Sequence, residues 1–391
     1  DFFLAWAAES AGRWDLYFSR SSDGGESFSA PVRVNDVDGD VYPHSEGAPR
    51  LVAAQGVVAL FWSNQFDVPN RTFSASDLRF TRSTDGGATW EPARNLQDQS
   101  GGVIPGANTF HGAAWNGAST LAVAWLDGRD RDARRIARGV ESGVPLAEAQ
   151  ADPERFADES DPHDGDATVF AAFSHDLGAT WEPENRRIQG NTCPCCRVTL
   201  AASPQGEVFG SWRGHFGVNF RDPAFHLLGG PENGAVRIHA DNWEYPGCPH
   251  SGPAISIGGD GVVHAAWYTG ATGRMGVHYA TLSSGAADFG TPIALAVGES
   301  IPVAHPSLVA LAEGGAVVAH NVDGTGRRII VLSHLSTRGE LLSSIPVPGS
   351  EGGTHPQSAL LPDGSVIVAW TQSEAGLMRV RLARFVLGGD L

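Results

Sequence analysis

"SSDGGESF" (residues 21–28), "STDGGATW" (83–90) and "SHDLGATW" (174–181) share one pattern, Ser-x-Asp-x-Gly-x-x-aromatic. Its mechanics are local. A short Asp side chain can accept backbone N–H bonds across a tight turn, and Gly supplies a positive φ at no steric cost. The aromatic ring is then expected to bury itself between the strands. The positions involved are Ser21, Asp23, Gly25 and Phe28; Ser83, Asp85, Gly87 and Trp90; and Ser174, Asp176, Gly178 and Trp181.

A second pattern spans the whole chain. Short apolar strands end in Trp or a substitute for it: "FLAW" (Trp6), "ALFW" (Trp62), "AVAW" (Trp125), "FGSW" (Trp212), "HAAW" (Trp267), "VVAH" (His320) and "IVAW" (Trp370). They recur about every 50–60 residues, with one longer step between Trp125 and Trp212. Most copies follow an earlier apolar strand and a Gly-bearing turn, such as "SPQGEV" or "LPDGSV", and precede two further strands. Four strands per repeat predict an all-β fold, a β-propeller of four-stranded antiparallel blades. The count points to seven blades, with six as the alternative. The first copy lacks its innermost strand and the last its outermost, so the closing strands are expected upstream of residue 1. The whole of 1–391 is read as a single domain, with an inserted loop at 127–167 holding one short helical turn near "PERFA".

Composition narrows the function. The net charge is −17, and every basic residue is Arg. A surface so acidic is a poor match for nucleic acid. No apolar run is long enough to form a transmembrane segment. The N-terminus "DFFLAWAAES" lacks the basic region of a signal peptide and reads as the middle of a strand, so upstream residues are expected to have been removed or left out.

The Ser-x-Asp-x-Gly turns are those of the Asp box, or BNR repeat, and along nearly its full length the chain resembles the sialidase-like propeller superfamily. That resemblance implies an exo-sialidase or another glycoside hydrolase, built on an arginine triad, a late Tyr nucleophile and an Asp acid/base. Arg50, in "APRLV", is a loose echo of the family's first arginine motif. The tyrosines are Tyr17, Tyr42, Tyr245, Tyr268 and Tyr279, so none stands late in the chain. Without that phenol the covalent mechanism lacks its nucleophile, and no catalytic residue is assigned. Arg50, Asp127, Arg129, Arg213, His215 and Tyr268 remain as a candidate ligand-binding face. Arg forks suit acidic ligands, but for any one of Arg50, Arg129 and Arg213 a blade-edge ion pair is the favoured reading.

A further candidate site is the Cys-Pro-Cys-Cys stretch. Cys193, Cys195 and Cys196 precede one innermost strand, and Cys248 and His250 precede the next. His44, His111, His305 and His355 stand at comparable points of other blades and are expected to form a ring at the channel mouth. The cysteines read as a disulfide clamp between blades, as a copper or zinc site with His250, or as a reactive thiol, in that order. The expected function is a non-catalytic binding or scaffold module, a subunit of a larger envelope complex with a protein or glycan partner. The alternatives are a metal-binding protein and a divergent hydrolase. Acidity and family habit place it in the periplasm, secreted or at the bacterial surface.

Overall fold

The structure is a computed structural model that describes residues 2–98, 106–298, 301–324 and 326–387. Seven antiparallel sheets follow one another along the chain, none sharing a strand. This is the fold class of a seven-bladed β-propeller, which excludes the six-bladed alternative. The second to sixth sheets have four strands each. The first sheet (Phe2–Ser10, Arg13–Ser21, Val32–Arg33) and the seventh (Thr354–Leu360, Val366–Glu374, Leu377–Phe385) have three among the described residues, lacking the first and the fourth strand respectively.

Two compact units divide the chain. One comprises Asp1–Val198 with Leu228–Gly234, the other Thr199–Leu227 with Ala235–Leu391. The first holds three sheets. Its second sheet is Arg50–Ala54, Val57–Ser63, Leu78–Ser83 and Arg94–Asn95, and its third is Asn108–Trp115, Leu121–Asp127, Ala167–Ser174 and Arg186–Thr192. The second unit holds four sheets, the first strands of which (from Thr199, Ala254, Ser307 and Thr354) lie side by side in succession.

From the second sheet on, the recurring Trp strand is the second strand of its sheet. Trp62, Trp125, Trp212 and Trp267 are fully buried, as is His320, which replaces Trp in the sixth sheet. Three of these four indoles have a hydrogen-bond partner for the buried N–H. Trp62 donates to the Asp40 carbonyl at 2.7 Å, Trp125 to Asp127 at 3.0 Å, and Trp267 to Asp241 at 2.6 Å. Apolar clusters fill the space between consecutive sheets within each unit. One joins Phe61 and Phe80 to Val123 and Phe170, another joins Val317 and Ile330 to Val366 and Trp370.

The Ser-x-Asp-x-Gly turns have the expected internal bonding. In the second sheet the Ser83 hydroxyl accepts from Gly87 N (2.8 Å) and donates to Asp85 (2.7 Å), and Asp85 accepts from Thr89 N (2.9 Å). Gly25, Gly87 and Gly178 have φ of 93°, 91° and 85°. The aromatic rings of Trp90 and Trp181 are partly buried and reach the preceding sheet. Trp90 meets Phe18 of the preceding sheet edge-on at 5.1 Å, and Trp181 meets Phe80 at 5.0 Å.

The 127–167 segment is helical where an open loop with one turn was expected. Helix α1 spans Arg129–Glu141 and α2 spans Leu146–Ala151, followed by a 3₁₀ turn at Pro153–Phe156. Asp130 and Asp132 in the first turn of α1 suit the helix N-terminus. Residues 71 and 72, between the second and third strands of the second sheet, hold the segment: Arg71 reaches Asp132 at 2.9 Å, and Asp152 accepts from Thr72 N at 3.1 Å. Within the segment Arg135 reaches Asp164 at 2.8 Å.

Candidate functional site

The strand Arg186–Thr192 ends in a turn that carries Cys193, Cys195 and Cys196, all three buried. Both flanks of the turn are fixed within the first unit. The Thr192 hydroxyl donates to the Ala167 carbonyl (2.7 Å), and Val198 N donates to the Phe110 carbonyl (2.8 Å). Pro194 restricts φ between the first two thiols. The sulfurs are mutually close, at 3.5 Å (Cys193–Cys195), 3.7 Å (Cys193–Cys196) and 4.0 Å (Cys195–Cys196). These separations exceed the ~2.05 Å of a disulfide, and together the sulfurs make a group that could hold a metal ion.

Beside the turn in sequence stands Arg197, whose side chain is 4 % exposed and pairs with the fully buried Glu46 at 3.4 Å. The Glu46 carboxylate also accepts from Arg197 N at 2.9 Å. Glu46 lies in the 3₁₀ turn Ser45–Gly47, where the His44 Nδ1 accepts its N–H at 3.1 Å. Sequence reasoning missed both Glu46 and Arg197. The available signal was a charged residue set between Cys196 and the apolar start of a strand.

Arg50 begins the second sheet and donates to the His111 carbonyl at 3.3 Å. Burial lowers its pKa to about 10, and the Arg197 charge adds to this against the pull of Glu46. The fully buried His111 has Nε2 3.1 Å from the Phe61 carbonyl. Burial and the Arg50 charge lower its pKa to about 3. His44 rests edge-on against Phe110, with ring centroids 4.8 Å apart.

Asp127 and Arg129 come together, but with each other. The Arg129 side chain donates to Asp127 at 2.8 Å and 3.0 Å, pairs with Asp98, and lies over the Phe170 ring. Burial raises the Asp127 pKa despite the bonds from Arg129.

In the second unit Arg213 is fully buried. Its guanidinium donates to the carbonyls of Ser251 (2.9 and 2.7 Å), Arg221 (2.6 Å) and Tyr268 (2.9 Å). His215 Nε2 stands 2.7 Å from the Val218 carbonyl. Tyr268 is buried edge-on against Trp243, and burial raises its pKa. Cys248 is exposed, and His250 has a left-handed φ of 48°. His305 and His355 do meet, with ring centroids 4.4 Å apart, and His355 also has a left-handed φ, 54°.

Neither a scan against protein-family models nor a search of curated proteins finds a match. Solved structures do match. The BP39L lectin from Burkholderia pseudomallei aligns with a TM-score of 0.61 at 13% identity, over 99% of this chain and 93% of that one. A leech intramolecular trans-sialidase, complexed with 2,7-anhydro-Neu5Ac, aligns with a TM-score of 0.50 at 11% identity, over 86% of this chain and 67% of that one. Identities this low carry the fold and no more: the chain has the sialidase-like propeller fold.

Proposed function

We propose that this protein is a non-catalytic binding propeller of the bacterial envelope, taking a protein or glycan partner. The observation that supports this best is the state of Arg213. A ligand-binding arginine must offer its fork to the ligand, whereas all of the Arg213 side-chain nitrogens face main-chain carbonyls. Arg129 is similarly occupied by Asp127 and Asp98. With no tyrosine beyond Tyr279, a hydrolase built on the family's triad and phenol lacks most of its parts. The Ser-x-Asp-x-Gly turns serve structure in this reading.

Two assays on the full chain test it. A fluorogenic sialoside panel should show no turnover above buffer. Calorimetry against purified glycans and envelope proteins should find one that binds at fixed stoichiometry. Turnover abolished by Arg50→Ala would overturn the proposal in favour of a divergent glycoside hydrolase.

A second reading, that the protein holds copper or zinc, is favoured by the mutual spacing of the three buried sulfurs. It is compatible with a binding role. The metal content of protein purified without chelator or reductant checks it.

A further inference from the structure

We propose that Cys193, Cys195 and Cys196 form a three-thiolate site for a thiophilic d¹⁰ cation, copper(I) or zinc(II), with Glu46 as the residue that positions it. This rests on the copper-or-zinc reading above and deepens it.

The geometry of the sulfurs carries the argument. An ion with metal–sulfur bonds of ~2.3 Å holds its sulfurs about 3.8 Å apart when tetrahedral and about 4.0 Å apart when trigonal. The three separations here are 3.5, 3.7 and 4.0 Å. All three sulfurs therefore lie near the distances one ion would impose, although one pair is of adjacent residues and another brackets a proline. Soft sulfur donors with no oxygen among them select copper(I) or zinc(II) over calcium or magnesium.

A buried thiolate set also needs compensating charge and a fixed frame. Arg197 follows Cys196 directly. Arg50 and Arg197 both act electrostatically with the Glu46 carboxylate. Glu46 supplies the frame. By accepting from Arg197 N it holds the peptide that immediately follows the third thiol. By pairing with the Arg197 side chain it fixes that residue a second time. Glu46 touches no reacting atom, so it is a positioning residue.

The test uses the full chain, prepared without chelator and loaded anaerobically with copper(I) alone or zinc(II) alone against a chromophoric competitor. Metal is counted by mass spectrometry, and thiolate-to-copper charge transfer is read by absorbance. One ion per chain is expected, with the tighter of the two metals identifying the native one. Cys193→Ser, Cys195→Ser and Cys196→Ser should each weaken binding at least 100-fold. Glu46→Ala should weaken it by about 10–100-fold and alter the charge-transfer band. Glu46→Gln, which keeps an acceptor for Arg197 N, should recover most of both. Should Glu46→Ala not fold, the glutamine variant and the cysteine series still decide.

Failure has distinguishable forms. If neither metal binds the wild-type chain, the copper-or-zinc reading falls together with this site. If an ion binds and all three serine variants retain it, the reading survives and the three-thiolate site is wrong. If the cysteine variants lose metal but Glu46→Ala does not, the assignment of Glu46 fails alone. Metal-free protein whose thiol count rises by two on reduction would instead reveal a disulfide, overturning the site.

Discussion

Trp181 and Phe289 do the same job with different local support. Trp181 ends a Ser-x-Asp-x-Gly turn stapled by Asp176, and its ring meets Phe80 of the preceding sheet. Phe289 ends a turn that lacks the motif, yet it meets Phe225 of the preceding sheet edge-on at 5.4 Å. Within each unit, then, an aromatic plug can join consecutive sheets with or without the carboxylate staple. The staple shapes a turn, while the ring links two sheets. Substitutions can separate these contributions.

The largest effect should come from removing the space that the plug and staple share. A Cβ at Gly87 would stand 2.1 Å from the Phe18 ring, on a backbone with φ of +91°. Gly87→Ala combines overpacking with left-handed strain and should cost about 3–5 kcal/mol, read as a lowered urea midpoint. Next come the plugs. Trp181→Ala and Phe289→Ala should each cost about 2–3 kcal/mol, below the values for fully buried rings because both are half-buried. Near-equal losses would sharpen the comparison. A much larger loss at Trp181 would break it, because the staple would then contribute to the join.

Removing only the staple should do less. The buried Ser174 hydroxyl accepts from Gly178 N at 2.7 Å and donates to Asp176 at 2.9 Å. Ser174→Ala should cost about 1 kcal/mol, with no counterpart in the Phe289 turn. The smallest effect should be that of pH. Burial pulls the Asp176 pKa upward, but bonds from Thr180 and Ser174 outweigh it and hold it at about 2. Its contribution is complete above the ordinary carboxylate value and disappears as pH falls from about 4 through about 2. Asp176→Asn should flatten the melting-temperature profile in that window. A separate and higher window belongs to buried histidines: His111, with a pKa of about 3, and His320, at about 4, stay neutral when folded. Unfolded chains bind those protons first, so stability should decline as pH drops below ~6.5. His320→Gln should reduce that slope.

The fold was legible because its signals are short and repeated. Each Trp strand, Gly turn and Ser-x-Asp-x-Gly motif records a local constraint, and seven imperfect copies reinforce one another. Helix α1 was missed because "RDRDARRIARGVE" is so polar that only Ile136 and Val140 suggest a buried stripe, and its stability comes from ion pairs with distant residues such as Arg71. The candidate sites were legible as residues more than as arrangements. The thiols were evident from their spacing. The Glu46–Arg197 contact bridges 151 positions, and nothing local to either residue announces the other. Arg129 and Arg213 look alike in sequence, each just past or at the end of a Trp strand. Only three-dimensional packing shows that one meets carboxylates and the other carbonyls.

Arg213 also has a bearing on how the second unit assembles. Its fork can shed water only after the chain segments at 221, 251 and 268 have all arrived, since each supplies an acceptor. An interaction with so many prerequisites belongs late on the folding route, after the barrier has been crossed. Truncating it should therefore hasten unfolding far more than it slows refolding, so the residue acts as a latch on the lifetime of the finished sheets and has little part in their nucleation.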